Sequence, residues 1–316
     1  MIIPGGNYAR VRIWDPRRRS RCMKKTQETG QWTTVIKPKN NLFEVNLKEI
    51  WQYRDLISLF IKRNIITQYK QTILGPVWFV VQPALTVIMY MIVFGGIAGI
   101  PTDGIPRPLF YLAGTCMWQY FADCLNKTSN TFVNNAGIFG KVYFPRLAVP
   151  IADVLSGLVR FGIQFGFFAI VYVVYSIFDP TCQAHFTWYA LMFPVLVAML
   201  AGLALGFGTL ISAMTTKYRD LQVLFSFIVQ LWMYATPIVY PLSKTNSMMW
   251  CGIPVHTLMC LNPVTPIIET FKYGFLGCGD FVGWRWLMYS FVFMVVLISL
   301  GVVVFNRVQK NFMDTV

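Results

Sequence analysis

The sequence predicts an all-α, polytopic membrane protein. It should have six transmembrane helices, an N-terminal amphipathic interfacial helix, and short re-entrant helices between spans five and six. Three observations carry this reading. The 316 residues are 56% hydrophobic, with a mean hydropathy of +0.53. Only 13% are charged, about half the share found in an ordinary soluble domain. Apolar runs near or above the roughly 18 residues that suggest a membrane span recur along most of the chain.

Residues 1–45 read as a basic, polar, cytoplasmic arm. The opening "MIIPGGNYARVRIWDPRRRSRC" differs in character from the rest of the chain. Met23 as the natural start and a genuine disordered basic arm both remain open. The N-terminus is basic, but no short apolar stretch and small-residue cleavage site come after it, so no cleavable signal is expected. From Asn46, "NLKEIWQYRDLISLFIKRNIITQYK" reads as a helix, with Asn46 as N-cap and Glu49 three residues on. Ile50, Tyr53, Ile57, Phe60 and Ile61 share one face, and Asp55, Lys62 and Arg63 lie largely opposite. Such a basic amphipathic element over 46–75 is expected to lie in the interface, with its apolar face among the headgroups. Gly75-Pro76 should end it, because proline lacks an N–H, disfavours helix in the residue before it, and suits the first turn of a new helix.

A transmembrane domain over 76–306 comes next. The expected spans are Pro76–Ile97, Leu109–Phe132, Pro150–Phe178, Thr187–Met214, Leu221–Tyr240 and Trp284–Phe305, with a cytoplasmic tail over 307–316. The segment 241–283 is too apolar for a solvated loop and too broken by Pro and Gly for a simple span. A pair of re-entrant helices fits it, and a seventh, broken span that would reverse the C-terminus is the alternative. Of the 27 Lys and Arg, six spans place 22 on the side of both termini and four on the other, with Arg160 inside a span. This asymmetry predicts cytoplasmic termini. It also accounts for the net charge of +14 without nucleic acid.

Enzyme chemistry finds little support in the sequence. It holds two histidines, His185 and His256, and neither an HExxH nor a DxD pattern. No GxxxxGK[ST] phosphate loop is present; "GIFGK" at 137–141 has the wrong spacing. The seven cysteines form no CxxC pair. Cys251, Cys260 and Cys278 share one expected external segment, which leaves a disulfide there open. No metal site and no catalytic residue are expected. Asp153, Arg160 and Gln164 fall on one face of span three with Gly157. A charge at a span centre costs on the order of 2.5–3.5 kcal/mol on insertion scales, so this face should meet protein or a polar pathway. Trp118, Tyr120, Phe121, Trp232, Tyr234 and Tyr240 sit near span ends, as interfacial aromatics or as platforms for sugar rings.

Five stretches carry a resemblance: "YKQTILGPVWFVVQPAL" (69–85), "NNAGIFGKVYFPRLAVPIADVLSGLV" (134–159), "TTKYRDLQ" (215–222), "QLWMYATPIVYPLS" (230–243) and "LNPVTPIIETFKYGFLG" (261–277). Together and in this order, the chain resembles the membrane subunit of type-2 ABC transporters, in particular exporters of O-antigen and capsular polysaccharide. The resemblance covers about residues 30–316.

The resemblance implies a homodimer paired with two copies of a separate ATPase, which holds the ATP and Mg, so that no cofactor is needed on this chain. It implies docking to that ATPase around Tyr53, Arg54 and Asp55, around Phe139, Lys141 and Tyr143, and around Lys217, Tyr218, Arg219 and Asp220. External gate helices would lie in 242–277. The implied cargo is a glycan on polyprenyl diphosphate, with Lys62, Arg63 and Lys70 suited to the diphosphate. Asp153, Arg160, Gln164, Trp118, Tyr120, Phe121, Trp232 and Tyr234 would line the channel. A permease for a teichoic-acid-like polymer or a drug shares the architecture; a membrane-embedded glycosyl- or acyltransferase is the rival from another class.

Overall fold

The computed structural model describes residues 47–315 except 71, 72, 140, 143, 180–183, 217, 219, 246, 247, 251, 278 and 280; for 47–49, 69, 253 and 309–315 it describes the backbone alone. The N-terminal arm, the alternative start at Met23 and the proposed cap Asn46 therefore lie outside the described residues.

The expected interfacial helix is two helices, α1 (Leu47–Gln52) and α2 (Arg54–Tyr69), divided at Tyr53. Its apolar face is not turned to headgroups. Ile50, Tyr53, Ile57 and Ile61 pack with buried Phe60 against protein. Outward-facing apolar side chains are instead Trp51, Leu59 and Ile66. The break at Gly75-Pro76 is present as expected. Gly75 adopts φ +51°, a left-handed conformation that side chains oppose. Gly75 opens a 3₁₀ turn (Gly75–Val77), with Pro76 as its second residue, that leads into α3 (Trp78–Tyr90). A π-helical turn over Met91–Ile97 ends this span.

The remaining elements are α4 (Arg107–Ser129), α5 (Thr131–Phe139), α6 (Ala148–Phe178), α7 (Phe193–Thr215), α8 (Asp220–Tyr234), α9 (Val255–Leu261), α10 (Thr265–Leu276) and α11 (Trp284–Thr315). A 3₁₀ turn over Trp188–Met192 leads into α7. A two-residue hairpin, β1 (Met249–Trp250) with β2 (Ile253–Pro254), precedes α9. The short tail expected from residue 307 is instead the continuation of α11.

Four segments are long and apolar enough to cross a membrane: Gly75–Ile97, Ala148–Phe178, Trp188–Thr215 and Trp284–Val308. The chain is thus a multi-pass membrane protein. Helices α4 and α8, matching expected spans two and five, fall outside this set for different reasons. The 23 residues of α4 include Arg107, Asp123 and Lys127, and most of its side chains are buried by neighbours. By contrast, α8 has only 15 residues, about 22 Å of helix against a hydrocarbon core of about 30 Å.

Helix α4 is the centre of the bundle, packed by α3, α6, α7 and α10. Buried hydroxyls tie its end to α7. Thr128 Oγ1 donates to the Ala204 carbonyl at 3.3 Å, and Thr215 Oγ1 donates to the Ser129 carbonyl at 3.1 Å. Such bonds replace the hydrophobic driving force that is missing between helices in lipid. Aromatic contacts close the other end of α6. Phe165 stacks on Phe193 of α7 with centroids 4.5 Å apart, and meets Phe275 of α10 edge-on at 5.6 Å.

Candidate functional site

Three constellations occupy different levels of the bundle. The first lies where α2, α5 and the start of α6 meet. After α5, the chain turns through Pro145 into α6, and the turn folds around its own phenylalanines. Phe139 and Phe144 lie 5.7 Å apart; Phe144 reaches Phe60 of α2 at 5.7 Å, and Phe132 stacks on Phe305 of α11 at 4.5 Å. One buried cluster therefore joins α2, α5, α6 and α11. Polar bonds reinforce it. Asn64 Nδ2 donates to Asp153 Oδ1 at 2.7 Å, and Arg63 Nη2 donates to Asn135 Oδ1 at 3.3 Å. The Arg63 guanidinium also lies 4.8 Å from the Phe60 ring centre.

These positions redistribute several expected roles. Phe139 is 3% exposed, so its ring anchors the segment inside the bundle rather than offering an outward contact. Arg54, Asp55, Lys141, Tyr218 and Asp220 are exposed, and Tyr53 is half-buried. Tyr143, Lys217 and Arg219 lie outside the described residues. Lys62 and Lys70 are exposed, whereas Arg63 is half-buried and engaged with Asn135. Asp153 is also engaged: its carboxylate receives Asn64 and ties span three to α2.

The second constellation lies between α3, α4 and α6. Arg160 Nη1 lies 2.6 Å from Asp123 Oδ2, and its Nη2 donates to Gln82 Oε1 at 3.0 Å. Its guanidinium stands 5.0 Å from the Phe79 ring centre, and Gln119 Nε2 donates to Asp123 Oδ1 at 3.4 Å. One planar cation thus holds three helices, as the guanidinium fork allows. Gln164, on the same face of α6, is 2% exposed, and its amide nitrogen is buried without a protein partner.

The aromatic channel lining is not what the protomer shows. Trp118, Tyr120 and Phe121 are all buried, at 4%, 2% and 0% exposure. Trp118 and Phe121 pack on half-buried Trp232, while Tyr120 packs on Phe161 at 5.1 Å. Only Tyr234 of this set is outward-facing. The reason is the central place of α4: a helix surrounded on all sides buries its aromatics whichever face they occupy. A separate apolar cleft of about 320 Å³ lies along α6, beside Phe186 and Phe275.

The third constellation escaped sequence reasoning. In α10, Lys272 is 1% exposed and Glu269 is 6% exposed. They pair at 3.0 Å, and the ammonium lies 4.2 Å from the Phe110 ring centre on α4. The available signal was an acid and a base three residues apart on an otherwise apolar helix. Two short helices, α9 and α10, do occupy the segment expected to hold a pair. Cys260, on α9, is buried with a free thiol; Cys251 and Cys278 lie outside the described residues. Among the described residues no cluster of His, Cys, Asp or Glu suits a metal ion.

The model of the ABC-2 type transporter family matches residues 55–276. The O-antigen export system permease protein RfbA of Myxococcus xanthus is 24% identical over 227 residues, covering 72% of this chain and 82% of the relative. The protein of the same name from Klebsiella pneumoniae is 22% identical over 262 residues, covering 82% and 94%. The inner membrane transport permease YadH of Escherichia coli K12 is 27% identical over 211 residues, covering 63% and 76%.

Proposed function

The chain belongs to the ABC-2 type transporter family, and from that premise we propose that it is the permease subunit of a polysaccharide exporter. Its cargo is a lipid-linked surface polysaccharide of the O-antigen or capsule type, moved across the bacterial inner membrane. The observation that carries this reading is its similarity to O-antigen export permeases along most of both chains. Two copies of the chain form the channel. Two copies of a separate ATPase, with its ATP and Mg, supply the work, in keeping with a sequence that carries no phosphate loop of its own.

In this reading six spans cross the membrane. Helix α4 is span two, its charges sheltered by protein, and α8 with the irregular stretch 235–241 completes span five. Both termini are cytoplasmic, on the side richer in Lys and Arg, and α9 and α10 form the re-entrant external pair. The ATPase docks on the exposed surface around Arg54, Asp55 and Lys141, together with the connection from Lys217 to Asp220. Its motion passes through the phenylalanine cluster to α6 and α11. Lys62 and Lys70 remain free to meet a diphosphate on polyprenyl lipid, and Arg160 and Gln164 stand nearest to a polar route. Sugar hydroxyls need such a route, because bare hydrocarbon leaves them without partners.

Deleting the gene and weighing the cell's lipid-linked glycans tests the proposal. Loss of surface polysaccharide with internal build-up of the lipid-linked polymer, reversed by complementation, is the expected result. A normal surface with no build-up would direct attention to drug or other lipid cargo instead. Docking has its own test. Asp220→Lys should leave the fold intact, because the side chain is exposed, while lowering ATP-driven export several-fold. Unchanged export and ATP turnover would remove that segment from the docking surface.

A further inference from the structure

The irregular stretch after α8 raises a question of backbone accounting. Pro237 has no N–H to give. Its carbonyl, in a continuing helix, would accept from the N–H of residue 241, but residue 241 is also proline. The sequence itself thus strips this carbonyl of its helical donor, and Pro237 is buried. The donor it finds is Lys272 Nζ, reaching across from α10. The same ammonium pairs with Glu269 at 3.0 Å and faces the Phe110 ring. Gly114 of α4 makes the space: an added Cβ would stand 3.2 Å from Lys272 Cε and 3.0 Å from the Ile238 carbonyl oxygen. A second link joins the same places. Asn262 Nδ2, between α9 and α10, donates to Thr236 Oγ1 at 2.9 Å.

We propose that Lys272 is a positioning residue for transport. Its ammonium stands in for the missing backbone donor at the break in span five, and so joins the end of α8 to the α9–α10 pair as one moving body. Glu269 neutralises and orients the ammonium. An ion pair within α10 alone would only stiffen that helix; the bond to a carbonyl on another element is what transmits motion. Displacement of α8 thereby carries the α9–α10 pair with it. The transport consequence rests on the permease reading above, whereas the mechanical link does not.

Distance measurement between spin labels separates the two. Labels are placed at Leu231 on α8 and Leu258 on α9, which are 52% and 39% exposed, in the full chain with its native cysteines replaced and diluted with an excess of unlabelled chain, so that only distances within one protomer are read. Wild type and Lys272→Arg should each give one narrow distribution. The double variant Glu269→Leu/Lys272→Met removes both charges together, so that neither is left buried alone. Its distribution should broaden at least twofold, and export by the assembled complex should fall at least tenfold. A distribution as narrow as wild type in the double variant overturns the proposal. Should that variant fail to fold, Glu269→Gln/Lys272→Leu keeps a polar side chain at 269 while still removing the ammonium and leaving no charge buried alone: broadening supports the joint body, and an unchanged distribution overturns it. Broadening in a protein whose wild type exports no polysaccharide leaves the link standing and removes the functional reading alone.

Discussion

Arg160→Met is expected to lower the stability of the purified protein by about 3 kcal/mol, the lower end of the range for breaking a buried ion pair. The substitution leaves the Asp123 carboxylate with its hydrogen bond from Gln119 and frees Gln82 from its bond to the guanidinium. The lower end applies because the two side chains are 15% and 21% exposed. Arg160→Lys should recover little, since an ammonium cannot reach both acceptors while lying flat over Phe79. Asp123→Asn/Arg160→Met should recover most of the loss, because no charge then remains uncompensated. Thermal unfolding followed by tryptophan fluorescence, in one detergent throughout, reads all three. Equal stability of Arg160→Met and wild type would show that the pair does not hold α3, α4 and α6 together.

Phe132→Ala should cost about 3–5 kcal/mol, the usual loss when a buried phenylalanine is truncated to leave a cavity. Phe132 is fully buried, stacked on Phe305 at 4.5 Å and edge-on to Phe139 at 5.8 Å. The functional effect should follow the structural one. With the cluster loosened, ATP turnover by the proposed complex with its ATPase should persist while polysaccharide export falls, because the proposed docking segment would no longer drive α11. Measuring both rates on one preparation decides the matter. An unchanged number of ATP molecules hydrolysed per exported chain would mean that the force reaches the spans by another route.

Much of the fold was legible because a bilayer demands long apolar helices. The runs that became α3, α6, α7 and α11 stood out by length and composition. Gly75-Pro76 announced its turn, since few other residue pairs suit a left-handed residue followed by a helix start. Helix α4 was placed within a few residues, yet its burial was not foreseen; hydropathy reports what a segment contains, not what surrounds it. The same blindness misassigned Trp118, Tyr120 and Phe121, whose packing depends on which helices flank α4. It also sent the face of Ile50, Tyr53, Ile57, Phe60 and Ile61 to the headgroups, because an apolar stripe looks alike whether lipid or protein covers it.

The candidate site divides along the same line. By itself, the sequence determined that this is a multi-pass membrane protein, that its Lys and Arg are concentrated before the first span, and that Arg160 and Asp153 would need partners. Those conclusions follow from composition and from the cost of a charge in hydrocarbon. Only the tertiary structure decided the partners: Asp123 and Gln82 for Arg160, Asn64 for Asp153, and the Pro237 carbonyl for Lys272. Each pairing joins residues from different elements of the chain, and a one-dimensional period carries no information about which element lies beside which.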